Sequence, residues 1–325
     1  MDPVKWRAPK APPLTGILAR NDALADPQRW PTGGHGPEDI AVDADDRIYT
    51  GLEDGRIVRW SSDGQGPELF TDTGGKPHGL DFDPDGSLIV CDTTRGLLRV
   101  DHGGAVEVLC DTFEGERIRF ANNPHAASDG TVYWSDSTTR WGFDDYLGDF
   151  MEHRRTGRLF ATKDGETRLL LRDLAFANGV TMDLDETFVL VAETSEYRIT
   201  RLWVDGDHPG QRDTFAENLP GFPDNLTTSS DGTVWCALAN PRDTRLDRLA
   251  SFPLVRKLVW SLPESVRPDE TFYGHVLAFD LDGRLLRSLQ DPSGGYAKIT
   301  GVREHDGWLY LASIDQDDLA RVPLS

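Results

Sequence analysis

One phrase returns six times along these 325 residues, and it limits the chain to a single kind of architecture. Each copy is a short apolar stretch, a turn rich in Asp, Gly or Glu, and a second apolar stretch. The first reads Asp39-Ile40-Ala41-Val42-Asp43, then Arg47-Ile48-Tyr49-Thr50-Gly51. The others run through Gly79–Cys91, Pro124–Ser135, Gly179–Ala192, Asn225–Ala237 and Gly301–Ala312. Alternation of period two marks both halves of each copy as strands. A third apolar run follows every pair, as in Arg56-Ile57-Val58-Arg59-Trp60 or Gly96-Leu97-Leu98-Arg99-Val100. Five units add a fourth run, such as Ala105-Val106-Glu107-Val108-Leu109, and the sixth stops at Ser325 with three. Leu14-Thr15-Gly16-Ile17-Leu18-Ala19-Arg20, an orphan strand pattern before the first unit, supplies the missing outer strand. The repeat therefore predicts an all-β, six-bladed β-propeller of four antiparallel strands per blade, closed by an N-terminal strand in the last blade. One domain is expected over residues 1–325.

Residues 137–156 and 240–272 interrupt the repeat between the second and third strands of units three and five. The second carries Leu246–Ala250 and Val255–Trp260 with apolar spacings of three to four, which predicts one or two short helices. Both insertions leave the end of the blade where first strands begin, so they form a cap over a substrate mouth, a packing cover or a dimer contact.

First strands line a propeller's central channel, and the residues that begin them crowd around its axis. Here those residues are Glu38, His78, Asn122, Asn178, Asp224-Asn225 and Thr300. Glu38, Asn122, Asn178, Asp224 and Asn225 make an oxygen-only set of two carboxylates and three amides. Such a set suits a hard divalent cation, Ca²⁺ first, with other divalent metals open. The thiolates and multiple imidazoles that zinc favours are missing from it.

A net charge of −21 excludes nucleic acid and an anionic membrane as expected partners and is compatible with bound cations. With 38% hydrophobic residues and nine Trp the chain can pack a core. Cys91, Cys110 and Cys236 read as small buried hydrophobes. No apolar run approaches the roughly 20 residues of a membrane span. Met1–Trp6 has no signal-peptide character, so a cytoplasmic location is the expectation. A homo-oligomer remains open.

At this point the chain resembles the strictosidine synthase-like branch of the superfamily that holds regucalcin/gluconolactonase, paraoxonase and diisopropylfluorophosphatase. The likeness covers nearly the whole chain. It is carried by Arg119-Phe120-Ala121-Asn122, Tyr133-Trp134-Ser135-Asp136-Ser137, Phe176-Ala177-Asn178-Gly179-Val180, Val189–Thr194 and Leu219-Pro220-Gly221-Phe222-Pro223-Asp224-Asn225. The resemblance implies a catalytic calcium held by Glu38, Asn122, Asn178 and Asp224, with Asn225 as in paraoxonase-like members. Pro77-His78-Gly79 matches the paraoxonase pattern, which implies that His78 lies beside the metal and takes part in the base system. Thr300 stands where strictosidine synthase has its catalytic Glu, which argues against alkaloid synthesis. Asn123 stands where paraoxonase has an Asp ligand for a second, structural calcium.

The reading that results is a metal-dependent hydrolase of a lactone or ester (a phosphotriester is also open), with a small-molecule substrate. The metal would polarise the carbonyl, water would attack, and His78 or Asp224 would be catalytic. The alternatives are a non-catalytic, calcium-stabilised binding propeller and a synthase or lyase disfavoured by Thr300. Trp134, Trp141 and Phe222 are candidates for the walls of an apolar pocket.

Overall fold

The computed structural model describes residues 1–62, 64–262 and 271–324. Six four-stranded antiparallel sheets follow one another along the chain, with one further two-stranded hairpin at Thr112–Arg117. Blade one begins at Ala41–Val42, blade two at Pro77–Phe82 and blade three at Ala121–Ala126. Blades four, five and six begin at Ala177–Met182, Gly221–Thr228 and Ile299–His305. Each second strand is buried along nearly its whole length, as in Leu88–Asp92 and Phe188–Glu193, because neighbouring blades cover both its faces. The core accordingly lies between blades. Leu190, Ile199 and Phe215 of blade four pack with Leu226, Cys236 and Leu277 of blade five. All three cysteines are free and buried, as their strand patterns indicated.

The ring closes as the repeat requires, but with a different segment. Gln28–Pro31, not Leu14–Arg20, is the outer strand of blade six and pairs antiparallel with Asp318–Pro323. Its anchor is Trp30, whose ring lies 6.0 Å from Trp60 and 5.7 Å from Tyr310, with the Arg321 guanidinium 4.6 Å from its centroid. Leu14–Arg20 instead forms a 3₁₀ turn at Gly16–Leu18, where Gly16 has φ +60°. Two prolines precede it, its Leu14 and Ile17 are exposed, and Gln290 of blade five donates to the carbonyls of Leu18 and Ala19. An apolar run without a facing sheet edge does not become a strand.

Both insertions leave their blades where expected. The first carries a 3₁₀ turn at Phe143–Asp145 and helix α1 (Leu147–Glu152). The second carries α2 (Thr244–Leu249), capped by the Asp243 carboxylate on the Arg245 and Leu246 amides, and α3 (Pro253–Trp260) with proline in its first turn. The rest of the second insertion, residues 263–270, lies outside the described residues. Trp141 and Trp260 meet at 5.8 Å, and Arg256 of α3 donates to the Met151 carbonyl of α1, so the two insertions form one layer.

Candidate metal centre

The six residues that begin the first strands alternate in kind around the ring. Odd blades contribute adjacent polar pairs, Glu38-Asp39, Asn122-Asn123 and Asp224-Asn225. Even blades contribute one polar residue and a glycine, His78-Gly79, Asn178-Gly179 and Thr300-Gly301. The glycines admit the neighbouring odd blade. A Cβ on Gly79 would lie 2.5 Å from the Asn122 carbonyl oxygen, one on Gly179 2.5 Å from that of Asp224, and one on Gly301 2.8 Å from that of Glu38. Blades two to six each shift register at these residues, between Pro77 and Leu80, Ala121 and Pro124, Ala177 and Val180, Pro223 and Leu226, and Ile299 and Gly301. A bulge re-aims successive side chains, and here it lets both members of a pair face the channel.

Glu38, Asn122, Asn178, Asp224 and Asn225 are all between 0 and 7% exposed. Asn225 Nδ2 donates to both Glu38 carboxylate oxygens at 3.2 Å, across 187 residues of sequence. The side-chain oxygens Oδ1 of Asn122, Asn178, Asp224 and Asn225 are buried without a hydrogen-bond partner. Buried polar atoms are almost always paired, so four orphan oxygens gathered here call for a positive partner. They fit a hard cation, which prefers oxygen donors; no group of three or more His, Cys, Asp or Glu side chains suited to a metal occurs among the described residues, so such a shell would draw most of its oxygens from amides. Burial, reinforced by Asp224 and then Asp39, pushes the Glu38 carboxyl well above the usual range. Burial also raises Asp224, with the Asn178 amide offsetting it in part. Two carboxylates held together out of water favour any ion that can neutralise them.

The remaining members of the odd-blade pairs do something else. Asp39 Oδ2 accepts from Asn123 Nδ2 at 3.0 Å and from the Leu80 amide at 3.0 Å, and Asp39 Oδ1 accepts from the Ile40 amide. Asn123 Oδ1 accepts from the Val180 amide at 2.8 Å. This staple ties blades one, two, three and four below the oxygen shell. The Asn123 side chain is thereby held at both its nitrogen and its oxygen. Thr300 Oγ1 donates to the Glu38 carbonyl at 2.7 Å, a positioning contact that no carboxylate could make.

Above the shell sits an aromatic collar. Phe120, Phe176 and Phe222 precede Asn122, Asn178 and Asp224 by two positions, and the first insertion adds Phe143, Tyr146 and Phe150. Ring centroids lie 5.6 Å apart for Phe120–Phe176, 4.8 Å for Phe150–Phe176 and 5.7 Å for Phe150–Phe222. Phe176 holds φ at +57°, a strained conformation for a non-glycine residue that recurs at functional sites. Of the three aromatics expected to wall a pocket, only Phe222 does so. Trp134 is a core residue stacked on Phe160 at 4.7 Å, and Trp141 donates to Glu152 within the insertion layer. The Phe-x-ligand spacing is written in the sequence and would have revealed the collar.

His78 reaches the collar, 5.6 Å from Phe120 and 5.1 Å from Phe143, and its Nδ1 is buried without a partner. Burial, only partly offset by Asp92, lowers its pKa from 6.5 to about 4. His275 in blade five, bonded to Ser288 Oγ, is lowered to about 4 by burial as well. The unfolded chain takes up these protons near pH 6.5, whereas the fold resists them until about pH 4. Stability contributed by neutral histidine is therefore complete above pH 6.5 and declines toward pH 4, on the order of 1.4 kcal/mol per pH unit for each group. Burial lowers His125 and His153 as well, so thermal melts across this range should show the acid limb, and His275→Gln should flatten it in part. An unchanged limb in the variant would refute the assignment.

Comparison with known proteins places this geometry in a lineage. The strictosidine synthase profile matches residues 125–207 and the strictosidine synthase-like N-terminal profile residues 16–60. The adipocyte plasma membrane-associated protein of Rattus norvegicus is 35% identical over an alignment of 350 residues covering 100% of this chain and 93% of the relative. Protein strictosidine synthase-like 10 of Arabidopsis thaliana is 34% identical over 314 residues, 87% of this chain and 84% of the relative. Among solved structures, a gluconolactonase from Xanthomonas campestris superposes with TM-score 0.67 at 18% identity, covering 93% of this chain and 90% of that one. A calcium-binding protein, regucalcin, from Agrobacterium tumefaciens gives 0.64 at 13% identity, covering 89% and 90%. At these identities the structural likeness is one of fold.

Proposed function

This chain belongs to the strictosidine synthase-like family, and from that premise we propose that its channel site is a divalent-cation-dependent centre hydrolysing a lactone or ester. The observation that carries the reading is the convergence of four unpartnered, buried side-chain oxygens beside the Glu38 carboxylate. Glu38, Asn122, Asn178, Asp224 and Asn225 would hold Ca²⁺ or a similar hard ion. Bound there, the ion would polarise the scissile carbonyl and stabilise developing negative charge on its oxygen. The fold shared with a gluconolactonase and a calcium-binding regucalcin is compatible with this chemistry.

The chain's own residues divide the remaining tasks. His78 stays neutral at physiological pH because it is buried, and its partnerless Nδ1 is a free acceptor for a proton from attacking water. Burial raises Asp224 to about 8, and as a cation ligand it would lose that basicity, since a neighbouring positive charge depresses it. The collar excludes bulk water and gives an apolar group on the substrate a surface to pack on. Thr300 fixes the Glu38 backbone rather than acting as a carboxylate base, which disfavours a synthase.

The test is turnover of γ- and δ-lactones, phenyl acetate and a phosphotriester with Ca²⁺, with chelator, and after Ca²⁺ is restored. Activity should vanish on chelation and return with the ion. His78→Ala should lower kcat by roughly 10²–10⁴-fold while leaving Ca²⁺ affinity unchanged. The sealed collar favours a second reading, a binding propeller in which the ion only pins the blades. A folded protein that binds Ca²⁺ yet is inert on every substrate would support it.

A further inference from the structure

Helix α3 is built inside out. Its cation, Arg256, is 1% exposed, donating to the carbonyls of Met151 and Val4. Its leucines face solvent, Leu254 at 83% exposure and Leu258 at 64%, with Val255, the following Leu262 and the preceding Phe252 also exposed. At about 100° per residue, positions 254, 255, 258 and 262 share one stripe about 100° wide, opposite the side that carries Arg256 and Trp260. A soluble helix normally presents the reverse pattern, and clustered exposed apolar side chains mark a contact surface.

The stripe has a cationic rim. Lys257 lies beside it on α3, and Arg245 and Arg248 lie on α2. The N-terminal segment runs along the α2–α3 junction, where Trp6 donates its amide to the Ala250 carbonyl and accepts from Ser251 Oγ. Lys5 and Arg7, which flank Trp6, are exposed. Lys5, Arg7, Arg248 and Lys257 form no ion pair with a described residue. Of the five Arg or Lys between residues 242 and 262, Arg242 and Arg245 pair with Asp247 and Asp243 and Arg256 is buried, which leaves Arg248 and Lys257 as the cations of this face unpaired among the described residues, in a chain whose net charge is −21.

We propose that this face docks on an anionic lipid bilayer. α3 lies in the interfacial plane with Leu254, Val255, Leu258 and Leu262 at the acyl boundary and Arg248 and Lys257 against headgroup phosphates. The whole-chain charge, which by itself predicts repulsion from such a surface, acts only over about a Debye length of 10 Å. The contacting face, not the distant acidic blades, therefore sets the sign. A two-fold contact with a second copy would bury the same leucines but set two identical cationic rims against each other, whereas a lipid surface complements both features. Because α3 packs on α1, which carries Phe150 of the collar, docking would turn the channel mouth toward the bilayer and let apolar molecules reach the collar from it.

The test is co-sedimentation of the full chain with vesicles of phosphatidylcholine alone or mixed with phosphatidylserine. The chain should sediment with the mixed vesicles and at least about tenfold less with phosphatidylcholine alone or at high salt. Leu254→Ser/Leu258→Ser and Arg248→Glu/Lys257→Glu should each lose roughly tenfold or more of the binding. These positions are on the surface, so the melting temperature should not move, and a melt checks that the fold is retained. Absence of binding to phosphatidylserine vesicles, or binding indifferent to both variants, would overturn the proposal. So would a concentration-dependent dimer in light scattering that the leucine pair abolishes, which would assign the face to a second copy.

Discussion

Asp224→Asn is expected to lower cation-dependent turnover by roughly 10²–10³-fold and Ca²⁺ affinity by at least about 100-fold. The substitution keeps the shape of the side chain and one of its oxygens. It removes one of only two carboxylates in the shell, and the affinity of oxygen sites for Ca²⁺ depends steeply on how many ligands are charged. Stability should move the other way. Asp224 is buried with Glu38 and Asp39, and both it and Glu38 are held above the usual carboxylate range by burial. In chelator the amide variant should therefore melt at a higher temperature than the parent, because one uncompensated buried charge has gone. With Ca²⁺ the order should reverse, since only the parent gains from the ion. This crossing of two melting curves is independent of any substrate. Retention of Ca²⁺-dependent stabilisation in the variant would show that Asp224 is not a ligand, whatever the fate of activity.

The largest loss of stability is expected from Asn123→Leu, about 3 kcal/mol or more. Leucine is close to asparagine in size, so the core need not collapse. It loses the bond from Nδ2 to Asp39 and the bond from the Val180 amide. A buried carboxylate is left one donor short and a buried backbone N–H is left unpaired, each costing about 1–3 kcal/mol. The cost falls on contacts between blades one, three and four, so denaturant midpoints should drop with Ca²⁺ or with chelator alike. A loss seen only in chelator would place Asn123 in the cation shell instead of the staple. Asn123→Ala would confound these effects with a cavity, which is why the larger apolar side chain is the cleaner probe.

Much of the site was legible in the sequence because the repeat fixes equivalent positions. Once six copies are aligned, the residues before each first strand are expected to meet at one end of the channel, and Asn225 does bond Glu38 there. What Asp39 and Asn123 would do was not legible, although they adjoin two of those residues. Adjacent side chains in a regular strand face opposite ways, and at Asn122-Asn123 only the bulge in the first strand of blade three turns both toward the axis. Trp134 and Trp141 failed as pocket walls for a related reason. Aromatic identity says that a side chain will be buried, while the blade on which it packs is set by register.

By itself, then, the sequence determined the number of blades, the position of both insertions and the oxygen character of the site, since each follows from local alternation repeated six times. Tertiary structure alone decided which N-terminal segment closes the ring, how Asp39 and Asn123 link four blades through bonds to each other and to the Leu80 and Val180 amides, and which side of α3 faces outward. Gln28–Pro31 became the closing strand because Trp30 finds Trp60 and Tyr310, and Arg256 turned inward because the carbonyls of Val4 and Met151 are there to receive it. Those outcomes depend on partners up to hundreds of residues away. A short segment's own pattern states what it can bury, but not what will be there to cover it.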